Sequence, residues 1–288
     1  MSENRKIISK VIRHGDRHWV GDGFPVQTMF HYDTPGIDAD PFLLLDYAGP
    51  MKFEPASQPR GVGKHPHRGF ETVTIVYQGD VKHRDTAGNA GVIGPGDVQW
   101  MTAGRGLLHE EMHGDELTRH GGMFEAIQLW VNLPAKSKMI APAYQSITDN
   151  NIPAVSIPQG AGTVRVIAGS YQDQKGPART HTPIHLRDIQ LHEECEIQFS
   201  LESGTNTILF VLQGRVRVNG QETISNAELL AFARGGETVL LSAERESRLL
   251  LMNGEPIDEP VVGHGPFVMN TREEINKAIE DFNEGLFD

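Results

Sequence analysis

The chain has 288 residues, enough for one large domain or two of ordinary size with real apolar cores. Its 38 acidic residues outnumber 26 basic ones for a net charge of -12, a field that opposes nucleic-acid phosphates and excludes direct DNA binding as a leading function. The single cysteine, Cys195, leaves no internal disulfide and no thiolate zinc cluster, and no apolar run reaches the length of a membrane span or signal-peptide core, so a cytoplasmic protein without membrane contact is expected.

From about Phe42 to Asn132 the chain reads as short strands broken by turns. Glu71 to Gln78 alternates Val73, Ile75 and Tyr77 on one face with Thr72, Thr74 and Val76 on the other. Val81 to Asp85, Val92-Ile93, Asp97 to Met101, Leu107 to Met112 and Phe124 to Asn132 follow as further strands, with no helix of useful length expected among them. Polar, proline-containing residues around Lys136 to Pro158 read as a connection, and the strand pattern resumes from Thr163 to about Asn253. The second half weakly repeats the first: IVYQG at Ile75 overlays FVLQG at Phe210 with an offset of 135, and GDVQWM at Gly96 overlays AELLAF at Ala227 with an offset of 131. Two copies of one antiparallel β-barrel account for this pattern. A terminal helix at about 271–284 has Thr271 and Glu274 as a capping box, a stripe of Ile275, Ala278, Ile279 and Phe282, and Gly285 as its stop. The expected domains are therefore 1–140 and 141–288, the helix closing the second.

Nine of the 13 histidines fall at or before His120, which directs attention to the first half. Proline disfavours helix for the residue before it, so His65-Pro66-His67 is extended and an i, i+2 pair points both imidazoles to one face. His109 and Glu111 share a face in the same way. Two strands can thus present three imidazoles and one carboxylate to one point. A donor set without thiolate suits Fe, Mn, Ni, Cu or Zn, and four protein ligands with open positions favour an octahedral ion such as Fe(II). Glu71, four residues after His67, is the rival carboxylate and otherwise a partner that orients a ligand. His83 and His113 read as exposed polar residues, Arg105 as a turn residue, Phe53, Trp100 and Met101 as core, and Cys195 as an inert buried thiol. Applying the two offsets places Ser200, Glu202, Leu240 and Ser242 opposite His65, His67, His109 and Glu111, so the second copy should lack the ligand set.

The block from His65 to Met112 (HPHRGFETVTIVYQGDVKHRDTAGNAGVIGPGDVQWMTAGRGLLHEEM), with DPFLLLD, QLWVNLP and GPFVMNTREEI elsewhere, closely resembles the pirin family of the cupin superfamily across nearly the whole chain. The resemblance implies an all-β bicupin, two RmlC-like jelly-roll barrels with a short C-terminal helix. It also implies one Fe(II) per chain, held in the N-terminal barrel by His65, His67, His109 and Glu111, with Mn, Ni, Cu, Co or Zn as substitutes. Pirin-like proteins are associated with quercetin 2,3-dioxygenase activity, in which O2 opens the central flavonol ring and carbon monoxide leaves. The implied partners are then a small hydroxylated aromatic and O2, with Glu111 as the catalytic base. The alternative the family implies is a non-enzymatic iron-binding regulator that acts through a protein partner.

Overall fold

The computed structural model describes residues 4–287 and divides into two compact units, each a β-barrel. The first takes Asp16–His31, Phe42–Asp149 and the C-terminal stretch from Asp258; the second takes the N-terminal stretch through Gly15, Tyr32–Pro41 and Asn150–Ile257. Among the described residues, no helix is long and apolar enough to cross a membrane.

The first barrel is a seven-stranded sheet facing a four-stranded one. The large sheet runs Ala143–Ile147, Val98–Thr102, Phe70–Gln78, Gly122–Asn132, Phe42–Phe53, Phe24–His31 and Asp16–Val20, every neighbour antiparallel. The small sheet runs Gly61–His67, Leu107–His113, Val81–Asp85 and Ala90–Ile93. The strands read from sequence are all present, and the six-residue helix Asp115–His120 is one element the alternation concealed. Phe70–Gln78 is buried on both faces along most of its length because it lies in the middle of its sheet, Val73 and Ile75 on one side and Thr74 and Val76 on the other. Phe53, Trp100 and Met101 are core, and Arg105 is an exposed turn residue, as expected.

The second barrel repeats this order strand for strand: Ile8–Ile12, Glu228–Phe232, Asn206–Val218, Thr238–Gly254, Ile184–Leu191, Gly162–Ala168 and Ala154–Ile157. Its interior is filled by Val, Leu, Ile and Phe side chains, with Cys195 half-buried against them rather than enclosed.

The linear division at about residue 140 needs correction at both ends. Ile8–Ile12 pairs with Glu228–Phe232, so the N-terminus supplies an edge strand to the second barrel and satisfies its ladder. The helix, Arg272–Asn283, belongs to the first barrel. Both hydrogen bonds of its capping box form, and Ile275 and Ala278 pack with Phe267, Met269 and Phe287. Its Asp281 meets the buried Arg68 guanidinium at 2.8 Å, next to the His65-Pro66-His67 strand. Sequence alone gave no sign of this because a capped amphipathic helix does not specify which surface takes its stripe.

Candidate metal centre and cavity

His65 and His67 end the strand Gly61–His67, and their rings lie 4.9 Å apart on the face that looks into the first barrel. His109 sits directly across the ladder from His65, with ring centroids 4.2 Å from His65 and 4.8 Å from His67. Potential ligand atoms of these three lie within 4.8 Å of one another. A second group, within the same limit, comprises His83, His109 and Glu111. The four residues singled out by spacing thus fall into two overlapping groups that share His109.

The arrangement of nitrogens fits a metal. His65 Nδ1 lies 2.8 Å from the Gly63 carbonyl, which fixes it as the protonated nitrogen and leaves Nε2 as the free donor. Nδ1 of His67 and Nε2 of His109 are buried without any hydrogen-bond partner, a cost that a cation at that point would remove. Burial and then neighbouring imidazoles hold the pKa values of His67 and His109 well below the usual histidine range. Both rings are therefore neutral, the form that ligates.

Glu111 is buried and receives three hydrogen bonds of 3.2 Å, from the Thr74 hydroxyl and the Gln99 and Gln128 amides. Tyr144 donates to Gln99 Oε1 at 3.2 Å. Burial, aided by the charges of Glu111 and Asp85, pushes the Tyr144 hydroxyl up to about 12, so it remains a donor at neutral pH.

His83 and His113 are both about 1% exposed, contrary to expectation. His83 bonds Asp85 at 3.2 Å, approaches His109 Nδ1 at 3.5 Å and stacks on Tyr144. The signal was present: His83-Arg84-Asp85 is a third i, i+2 pair, and Val81, His83 and Asp85 alternate as buried residues with exposed Lys82 and Arg84. His113 instead bonds the Gly23 carbonyl and packs among Phe24, Phe53 and Phe124, away from the ligand nitrogens.

Glu71 does not share the face of His67. The strands that carry them lie in different sheets, separated by Gly69 in a left-handed conformation (φ 89°), so an i+4 count across the break carries no parity. Thr74 faces Glu111, and Glu71, three residues earlier, faces the opposite side, where it accepts from Thr102 at 2.6 Å. Burial pushes its pKa from 4.5 to about 7, against the lowering effect of the Thr102 hydroxyl. A carboxyl with a raised native pKa binds its proton more tightly when folded, so its contribution to stability falls as pH rises from about 4.5 through 7. Glu71→Gln should abolish that fall and gain roughly 2 kcal/mol on wild type between about pH 5 and pH 8, measured by urea unfolding. A stability difference that does not change with pH would contradict this.

The second barrel shows what the site replaces. His109 pairs with His65 in the first barrel as Val239 pairs with Phe199 in the second, and Glu111 pairs with His83 as Leu241 pairs with Val218. The counterparts of His65, His67, His109 and Glu111 are Phe199, Leu201, Val239 and Leu241, all buried. The sequence overlay, which named Ser200, Glu202, Leu240 and Ser242, is one residue out of register and so on the wrong strand face. Among the described residues, both groups able to hold a metal lie in the first barrel.

The centre opens on a cavity of about 320 Å³ within the first barrel. His65, His67, Thr74, Glu111, Gln128 and Asp46 supply its polar wall, and the rest is apolar, including Val26, Phe124, Ile127 and Trp130. Trp130 stands edge-on to His67 at 5.4 Å. An apolar chamber with a few convergent polar groups at one wall suits a small aromatic ligand.

Comparison with known proteins gives consistent results. Residues 23–131 match the family model described as Pirin, and residues 186–288 match that described as Pirin C-terminal cupin domain. The Pseudomonas aeruginosa protein named "Putative quercetin 2,3-dioxygenase PA2418" is 51% identical over 282 residues, 98% of each chain. Pirin of Mus musculus is 39% identical over 288 residues, 98% of this chain and 93% of that one. A crystal structure of quercetin 2,3-dioxygenase from Acinetobacter baumannii superposes with a TM-score of 0.95 at 47% identity, covering 98% of both chains.

Proposed function

The chain belongs to the pirin family, and we propose that it is a metal-dependent dioxygenase that opens the central ring of flavonols such as quercetin with O2. The observation that carries this reading is the pair of buried imidazole nitrogens without partners, on His67 and on its neighbour His109, beside an apolar chamber that His67 lines. We assign His65, His67, His109 and Glu111 as ligands of one ion and Fe(II) as that ion, since an octahedral preference leaves positions for substrate and O2. Bound there, the metal acidifies a phenolic hydroxyl and holds substrate and O2 together.

The protein's own residues do the remaining work. Glu111 takes the proton of the flavonol hydroxyl onto a carboxylate oxygen. Its bonds from Thr74, Gln99 and Gln128 keep that carboxylate aimed at the chamber before and after the transfer. The walls formed by Val26, Phe124 and Ile127 strip water from the planar rings and keep it from the reacting carbons.

The test is elemental analysis of the purified protein together with O2 uptake and carbon monoxide release over a panel of flavonols and catechols. One metal equivalent per chain is expected, with one O2 consumed and one carbon monoxide released per flavonol. Fully loaded protein that consumes no O2 with any of the panel would reject the dioxygenase reading. Two tightly held equivalents would reject the single centre.

A further inference from the structure

Glu111 is only one end of a longer polar feature. Thr28, Asp46, Gln128, Thr74 and Gln99 are successive cross-strand partners, one from each of five adjacent strands of the large sheet. Thr74 Oγ1 also lies 3.1 Å from Gln128 Oε1, so its one proton is shared between that oxygen and Glu111, and Thr28 donates to Asp46 Oδ1. Gln99, Thr74 and Gln128 are accounted for by their bonds to Glu111. Asp46 is not: it lies one strand beyond Gln128, lines the cavity, and is 8% exposed.

The fold itself does not require this row. The matching ladder of the second barrel reads Val166, Arg187, Leu251, Leu209 and Leu230, so of the four other polar members of the row three are replaced there by leucine and one by valine. A carboxylate in an apolar chamber is costly unless donors reach it, and Thr28 supplies a donor to one of its two oxygens. Strands lie about 4.8 Å apart, so Asp46 stands roughly 10 Å along the row from Thr74, the span of a fused ring frame.

Resting on the reading of the cavity as a flavonol site, we propose that Asp46 binds substrate by accepting a hydrogen bond from a ring hydroxyl remote from the flavonol's metal-binding end. It thereby selects flavonols that carry such a hydroxyl over those that do not. The selectivity arises because a phenolic O–H supplies a second donor to a buried acceptor, whereas an unsubstituted ring leaves Asp46 with the Thr28 hydroxyl alone.

The experiment measures dissociation constants calorimetrically, without O2, on the metal-loaded full chain. The ligands are 3-hydroxyflavone, 3,7-dihydroxyflavone and 3,4′-dihydroxyflavone, which share one chelating end and differ by a single distal hydroxyl. Wild type should bind at least one dihydroxyflavone about 10-fold or more tighter than 3-hydroxyflavone. In Asp46→Leu that gain should vanish while 3-hydroxyflavone binds no more weakly than it does to wild type, which also shows the chamber intact. Asp46→Asn, similar in shape and still an acceptor, should keep part of the gain. A full gain in Asp46→Leu, or no gain in wild type, overturns the role of Asp46. If the binding pattern holds but no flavonol is consumed in air, the dioxygenase reading fails and Asp46 stands. If 3-hydroxyflavone does not bind wild type, both fall.

Discussion

Glu111→Gln is expected to keep at least part of its metal and to lose flavonol turnover by about 10²-fold or more, the usual yield of general-base catalysis. The substitution preserves size and one oxygen donor but removes both the charge and the basicity needed to take the hydroxyl proton. Its surroundings tolerate the change after one amide flip: with the new amide nitrogen in place of Oε2, Gln128 can turn to offer Oε1 to it, and Thr74 can accept from the Gln128 nitrogen while donating to the remaining oxygen. The loss should therefore appear in kcat with the fold intact. Glu71→Gln is the matched control, because Glu71 is equally buried but faces the other side of its strand. It should turn over flavonol at near wild-type rate. Near-normal turnover by Glu111→Gln would end the base assignment, whereas metal loss in Glu71→Gln exceeding that in Glu111→Gln would contradict the orientation of both carboxylates.

The largest effect on metal affinity should come from His109→Ala. His109 is fully buried, belongs to both groups of potential ligands, and presents Nε2 without a partner. Its removal should weaken binding beyond the roughly 10–100-fold typical of losing a residue that merely orients a ligand. His67→Ala should approach that effect, and His83→Ala should fall within that range, since His83 contacts His109 and is held by Asp85. Competition against a chelator of known affinity measures the series. Thermal unfolding of the metal-free variants should change little between them, because the barrel has an apolar core of its own that does not depend on the ion. Stoichiometric metal in chelator-challenged His109→Ala would displace the centre. A loss in His83→Ala exceeding that in His65→Ala would shift it toward the His83, His109 and Glu111 group.

The line between what sequence determines and what it leaves open follows from the period of a strand. Alternate residues share a face wherever the backbone is extended, so His65 with His67 and His109 with Glu111 are legible as pairs, and His83 with Asp85 obeys the same rule. Strand limits were legible for the same reason, and the terminal helix was legible from its cap and its stripe. Parity does not survive a break in the strand: Gly69 in the left-handed region resets it, and Glu71 turned out to face the opposite side from Thr74 and Glu111. Nor does parity survive an approximate repeat, where a slip of one residue placed Ser200 and Ser242 where Phe199 and Leu241 lie. The row from Thr28 to Gln99 draws one residue from each of five strands, and nothing local marks its members as neighbours. Sequence alone thus determined which side chains on each strand face together; only the tertiary structure decided which strands meet and in what register, because register is set by bulges, turns and cross-strand packing among residues far apart in the chain.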